Sequence, residues 1–240
     1  MQNRYTGDIG DYGKLGLLRV LQASGLSIGV NWYLTPDEGH NSDGRHVKYL
    51  HSERFRSCDE ALWLQLRQIV NSGRREVSAL QDRRILEATF FSPVLDFSGM
   101  SKAQRLSHRE KWHRSALASL SGTDVVFVDP DNGLVVPSAV ETRKENKFVK
   151  PKELSDYYRK GSSVIYYQHK ARRPDEFYIE QHSQLLQGDG FEGSTSYALK
   201  FRTTSQRYYF FAVQPRHKST IEDDMREMMS TVWSNHFCVL

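Results

Sequence analysis

The sequence predicts an α/β domain, a three-layer, Rossmann-like fold with a mostly parallel sheet and helices on both faces. Two observations carry this. Short apolar runs such as Val125-Val126-Phe127-Val128 read as strands buried on both faces. Segments of helical periodicity alternate with them, the pattern of parallel strands joined by crossover helices. The 240 residues read as one domain, 1–240, with a helical insertion around 52–120.

Each element follows from local pattern. Residues 11–23 form a helix with Leu15, Leu17, Leu18 and Leu21 on its apolar side. Ser27–Leu34 is β-branched and aromatic and reads as a strand stopped by Thr35-Pro36. Residues 37–45 are a polar loop; 46–56 fit a short strand or a helix equally. Helices follow over 58–71 and 101–120, the second capped by Ser101. The strand at 125–128 comes next, then a helix over 152–160 and a strand at 163–167. A helix over 174–186, strands at 197–201 and 208–213 and a helix over 220–233 complete the chain.

Composition narrows the function class. Thirty-three Lys and Arg against 29 Asp and Glu give a net charge of +4. This mild excess is compatible with a polyanionic partner. Cys58 and Cys238 lie far apart and belong to no CxxC pair, so no metal site is expected and a reduced, cytoplasmic setting is. No run reaches the ~18 apolar residues of a membrane span, and the N-terminus lacks the pattern of a signal peptide.

In a parallel sheet, ligands bind beyond the carboxyl ends of the strands. After 125–128 comes Asp129-Pro130-Asp131-Asn132-Gly133, two carboxylates and a carboxamide on a Pro/Gly turn. A rigid turn of this kind suits acids that orient water or substrate. Gln168 and His169 follow strand 163–167 at the same edge. Ahead of the first helix, Tyr5-Thr6-Gly7-Asp8-Ile9-Gly10-Asp11-Tyr12-Gly13-Lys14 combines a helix cap, Asp8 or Asp11, with glycines that permit close approach.

Tyr5-x-Gly7-Asp8-x-x-Asp11-Tyr12-x-Lys14 resembles the N-terminal motif of the bacterial enzymes that methylate adenine N6 in 23S ribosomal RNA. Asp129-Pro130-Asp131-Asn132 falls where those enzymes carry Asp-Pro-Pro-Tyr. Tyr209-Phe210-Phe211-Ala212-Val213-Gln214-Pro215 and the acidic helix after it are similar to their last strand and helix. The resemblance implies a class I methyltransferase-like fold and a pocket for a flipped base. It also shows departures. Asn132 replaces the tyrosine that stacks on adenine. The loop Thr35–Gly44, where the family binds S-adenosylmethionine, has few glycines and carries Asp37, Glu38 and Asp43.

A flipped base beside fixed carboxylates fits another reaction, hydrolysis of the N-glycosidic bond through an oxocarbenium-like transition state. The Asp-Pro turn and the later His also resemble, over a few residues, the two active-site motifs of uracil-DNA glycosylases. The sequence is therefore read as a DNA glycosylase acting on a flipped, modified, for example glucosylated, base, in antiviral defence. Its catalytic set is Asp129, Asp131, Asn132, His169 and Asp8. Tyr5, Asp11, Lys14, Asp37, Glu38, Tyr167, Lys147 and Arg172 bind substrate, with Lys14, Lys147 and the runs Arg105–Arg114, Lys170–Arg173 and Arg216–Lys218 toward phosphate. No cofactor is expected. The alternatives are an S-adenosylmethionine-dependent adenine-N6 methyltransferase and a non-catalytic nucleic-acid binder. Pro130-Asp131 with Glu145-Asn146-Lys147 also has the spacing of a PD-(D/E)xK nuclease.

Overall fold

The computed structural model describes residues 1–39, 44–204 and 206–240. A 3₁₀ turn at Asn3–Tyr5 leads into α1 (Ile9–Ala23), then β1 (Ile28–Asn31). Next come α2 (Glu53–Arg56), α3 (Glu60–Asn71), α4 (Val77–Asp82), β2 (Ala88–Phe91) and α5 (Lys102–Ser119). The middle of the chain holds β3 (Val125–Val128), β4 (Gly133–Leu134), β5 (Phe148–Val149), α6 (Pro151–Arg159) and β6 (Ser163–His169). It ends with α7 (Asp175–Leu186), β7 (Thr195–Phe201), β8 (Arg207–Val213), α8 (Lys218–Ser230) and β9 (Phe237–Val239).

Seven strands form one sheet in the order β2-β1-β3-β6-β8-β7-β9, and β4 pairs with β5 apart from it. β2, β1, β3 and β6 are parallel neighbours. β8 runs antiparallel between β6 and β7, and β9 antiparallel to β7. β8 and β9 thus oppose the other strands of a mostly parallel sheet. Alternate strand residues feed two cores, as the period of two requires. Val125, Phe127 and Phe211 pack with Leu18, Leu66 and Ile221 of α1, α3 and α8. Val126, Val128 and Phe210 pack with Trp112, Leu154 and Tyr178 of α5, α6 and α7. Among the described residues no helix is long and apolar enough to cross a membrane.

The structure revises several boundaries. The strand expected over 27–34 ends at Asn31, because the Asn31 side chain accepts the Tyr33 N–H (2.9 Å) and Tyr33 turns left-handed at φ 48°. Residues 46–56 become a 3₁₀ turn at Lys48–His51 followed by α2. The 52–120 segment is not wholly helical: it supplies β2, a four-residue edge strand too short to announce itself. The last helix stops at Ser230, where extended Thr231 starts a new turn whose Trp233 N–H it accepts (3.3 Å). Trp233 folds back onto α1: a Cβ at Gly16 would lie 2.5 Å from its ring. The glycines of α1 thus admit neighbouring side chains.

Candidate active site

A cavity of about 340 Å³ opens beyond the carboxyl ends of β3 and β6 and against the first turn of α1. The turn after β3 forms one wall. Gly133 adopts φ +105°, which glycine alone tolerates well. The Gln168 amide staples this turn to β6, accepting from the Leu134 N–H (2.8 Å) and donating to the Asn132 carbonyl (3.1 Å). Asp129, Pro130, Asp131 and Asn132 all face the cavity. Tyr167 and His169 from the end of β6 and Arg207 from the start of β8 line another side.

The two aspartates of the turn differ. Asp131 is pinned: the Met1 ammonium lies 2.6 Å from one oxygen, and Gln2 Nε2 donates to the other at 2.7 Å. Burial would raise its pKa, but these partners and Lys147 hold it below the ordinary carboxylate range. Asp129 has one oxygen paired with Lys14; the other has no hydrogen-bond partner among the described residues. Burial raises the Asp129 pKa, with Lys14 and the Met1 ammonium opposing. Lys14 also reaches Asp11 at 3.0 Å. Despite its burial, these two carboxylates push the Lys14 pKa up, so it is a fixed ammonium and no nucleophile.

Asp8 caps α1, accepting from the Gly10 (2.7 Å) and Asp11 (3.0 Å) N–H groups, and lines the cavity. Asp11 instead accepts from the Gly7 N–H at 2.8 Å. Tyr5 and Tyr167 supply aromatic walls, and the Tyr167 hydroxyl lies 3.3 Å from His169 Nδ1. The carboxamide of Asn132 has no hydrogen-bond partner among the described residues; its backbone is held by Lys147 and His169. At the mouth Lys147 pairs with Glu38 (2.6 Å) and stands 3.9 Å from Asp131.

Eleven of the predicted residues thus line one cavity: Tyr5, Asp8, Asp11, Lys14, Glu38, Asp129, Asp131, Asn132, Lys147, Tyr167 and His169. Asp37 and Arg172 lie outside its wall: Asp37 is exposed and accepts from the Arg4 N–H (3.3 Å), and Arg172 is exposed beyond β6. Asp43 falls outside the described residues. Two basic residues move away from a phosphate role. Lys14 is buried between carboxylates, and Arg109 is buried in an ion-pair cluster with Glu153 and Glu145. Glu145 pairs with Arg109 and Lys150 and does not line the cavity that Asp131 faces, and among the described residues no group of three or more acids, His or Cys could hold the metal of a nuclease. Arg207, His46 and the Met1 ammonium were not foreseen. Arg207 reaches the site because it pairs with His169 across the β6–β8 ladder, a relation that no local pattern carries.

No family model and no curated protein matches the sequence. Among solved structures, protein LPL1258 from Legionella pneumophila, assigned to the DUF519 family model, is similar over 98% of this chain and 96% of its own, at 11% identity and a TM-score of 0.47. A likeness at that level adds nothing to the reading of the site.

Proposed function

We propose that the cavity holds one flipped nucleotide of DNA and hydrolyses its N-glycosidic bond. The observation that carries this is Asp129, with one oxygen fixed by Lys14 and the other unengaged, beside the unpartnered Asn132 carboxamide on a stapled turn. Asp129 takes a proton from water as the water oxygen attacks C1′. The C1′–N bond breaks with its electron pair left on the base, which is then protonated from solvent. Lys14 orients Asp129 and opposes the rise that burial imposes on its pKa. Asn132 hydrogen-bonds the base, Tyr5 and Tyr167 stack on it, and Arg172 meets the DNA backbone outside.

Size and charge support this reading. About 340 Å³ is near the low end of the ~300–1,000 Å³ range for ligand sites, room for one nucleotide rather than base and cofactor together. Among the described lining residues, five carboxylates (Asp8, Asp11, Glu38, Asp129, Asp131) face four cations (Met1 ammonium, Lys14, Lys147, Arg207). That excess favours a sugar that becomes positive in the transition state.

The strand order favours a second reading. The antiparallel β8, inserted between β6 and β7 of an otherwise parallel run, is compatible with the class I methyltransferase-like fold that the sequence resembles. One experiment separates the two. The protein is incubated with DNA carrying glucosylated 5-hydroxymethylcytosine, then with hot alkali, and strand breaks at the modified sites are the expected result. DNA that stays intact, together with micromolar S-adenosylmethionine binding by calorimetry, overturns hydrolysis in favour of methyl transfer.

A further inference from the structure

We propose that Arg207 is a catalytic residue for departure of the base, an inference that rests on the glycosylase reading above. Breaking the bond separates charge: the sugar becomes positive and the base leaves with the electron pair. Each developing charge has a counterpart among the residues that line the cavity. Asp129 and Asp131 sit on the turn after β3, while His169 at the end of β6 and Arg207 at the start of β8 sit opposite each other in the β6–β8 register. A guanidinium keeps its charge at any working pH and donates in its plane to the carbonyl oxygen or ring nitrogen of a base anion.

Arg207 is also held before substrate arrives. Its side chain is buried, and its guanidinium carbon lies 5.7 Å from the centre of the Phe201 ring. Gly10 leaves the space it occupies: a Cβ there would stand 2.7 Å from Arg207 Nη1. Asp8 and Tyr167 flank it. A fixed donor of this kind lowers the barrier without reorganising during the reaction.

The step balances. Water adds its hydroxyl to C1′ and leaves its proton on Asp129. The base departs as an anion against Arg207 and takes a proton from solvent, and Asp129 returns its proton to solvent.

The test is leaving-group dependence. Base release is measured under single-turnover conditions from duplexes carrying 5-hydroxymethylcytosine, its glucosylated form, 5-fluorocytosine or 5-fluorouracil at one position. Fluorinated bases leave more readily and need less help. Arg207→Gln is expected to slow release from the first two about 100-fold and from the fluorinated pair less than tenfold. An equal loss across the series means Arg207 is structural and overturns the assignment. If Arg207→Gln does not fold, Arg207→Lys, which keeps the charge and loses the planar fork, must show the same selective loss in smaller degree. Wild-type protein that releases no base from any duplex overturns the glycosylase reading itself, a result distinct from a flat Arg207 profile.

Discussion

Among the described residues, the charge clusters around Arg109 and around Lys14 are both buried, and they are finished to different degrees. In the sealed one, Arg109 binds Glu153 through Nε (2.7 Å) and Nη2 (2.9 Å) and donates to the Glu145 and Phe148 carbonyls (2.9 and 2.6 Å). The Tyr33 hydroxyl completes Glu153 at 2.7 Å. Burial alone would raise the Glu153 pKa, but Arg109 and Tyr33 bring it down to about 2. In the open cluster, Lys14 serves two carboxylates, and burial leaves both Asp11 and Asp129 with raised pKa values. A sealed cluster satisfies every group because an orphan there is costly. An open one leaves an acceptor toward the cavity, where a substrate or water completes it. Unfinished electrostatics beside a cavity make a candidate site, whereas complete electrostatics inside a core serve architecture.

Removing one partner from each cluster puts that distinction at risk. Arg109→Ala leaves Glu153 buried without its cation and is expected to cost about 3–5 kcal/mol of stability in chemical denaturation. A loss under about 1 kcal/mol would mean the sealed cluster is not structural. Asp129→Asn should do the reverse. Lys14 keeps Asp11, so the melting temperature should move little. On the proposed glycosylase reading, base release should fall by about 10²–10⁴, the usual contribution of a general base. An Asp129→Asn protein that unfolds yet, when folded, works normally would erase the contrast between the two clusters.

Much of the open cluster was legible and almost none of the sealed one. Asp129, Asp131 and Asn132 stand out because Pro130 and Gly133 punctuate the end of a wholly apolar strand, and His169 because it ends another. Arg109 sits in a helix rich in Lys, Arg and His, where local pattern assigns it to solvent. Its burial depends on α5 packing against α6, which brings Glu153 under it. Arg207 depends likewise on an antiparallel register. The strands of the sheet centre were legible from their apolar runs. β2 and β9, short strands at the sheet edges, bury too little to show a pattern.

Acid titration makes the subtlest cut between the clusters. Glu153 has a pKa near 2 in the folded chain against an ordinary value of 4.5. A depressed folded pKa gives stability that is complete above the unfolded value and is lost as pH falls through the folded one. Glu153 therefore contributes roughly 3 kcal/mol that drains away between about pH 4.5 and pH 2. Asp129 and Asp11 carry the opposite sign, since a raised folded pKa makes the native state bind protons first and gain stability on acidification. Unfolding free energy measured against pH should thus fall less steeply in Glu153→Gln than in wild type between about pH 4.5 and pH 2, whereas Asp129→Asn should lack the gain that wild type shows as pH falls toward the ordinary Asp value of 3.8. Parallel curves for all three proteins would show that the two clusters titrate alike, and the contrast between a sealed and an open site would fail.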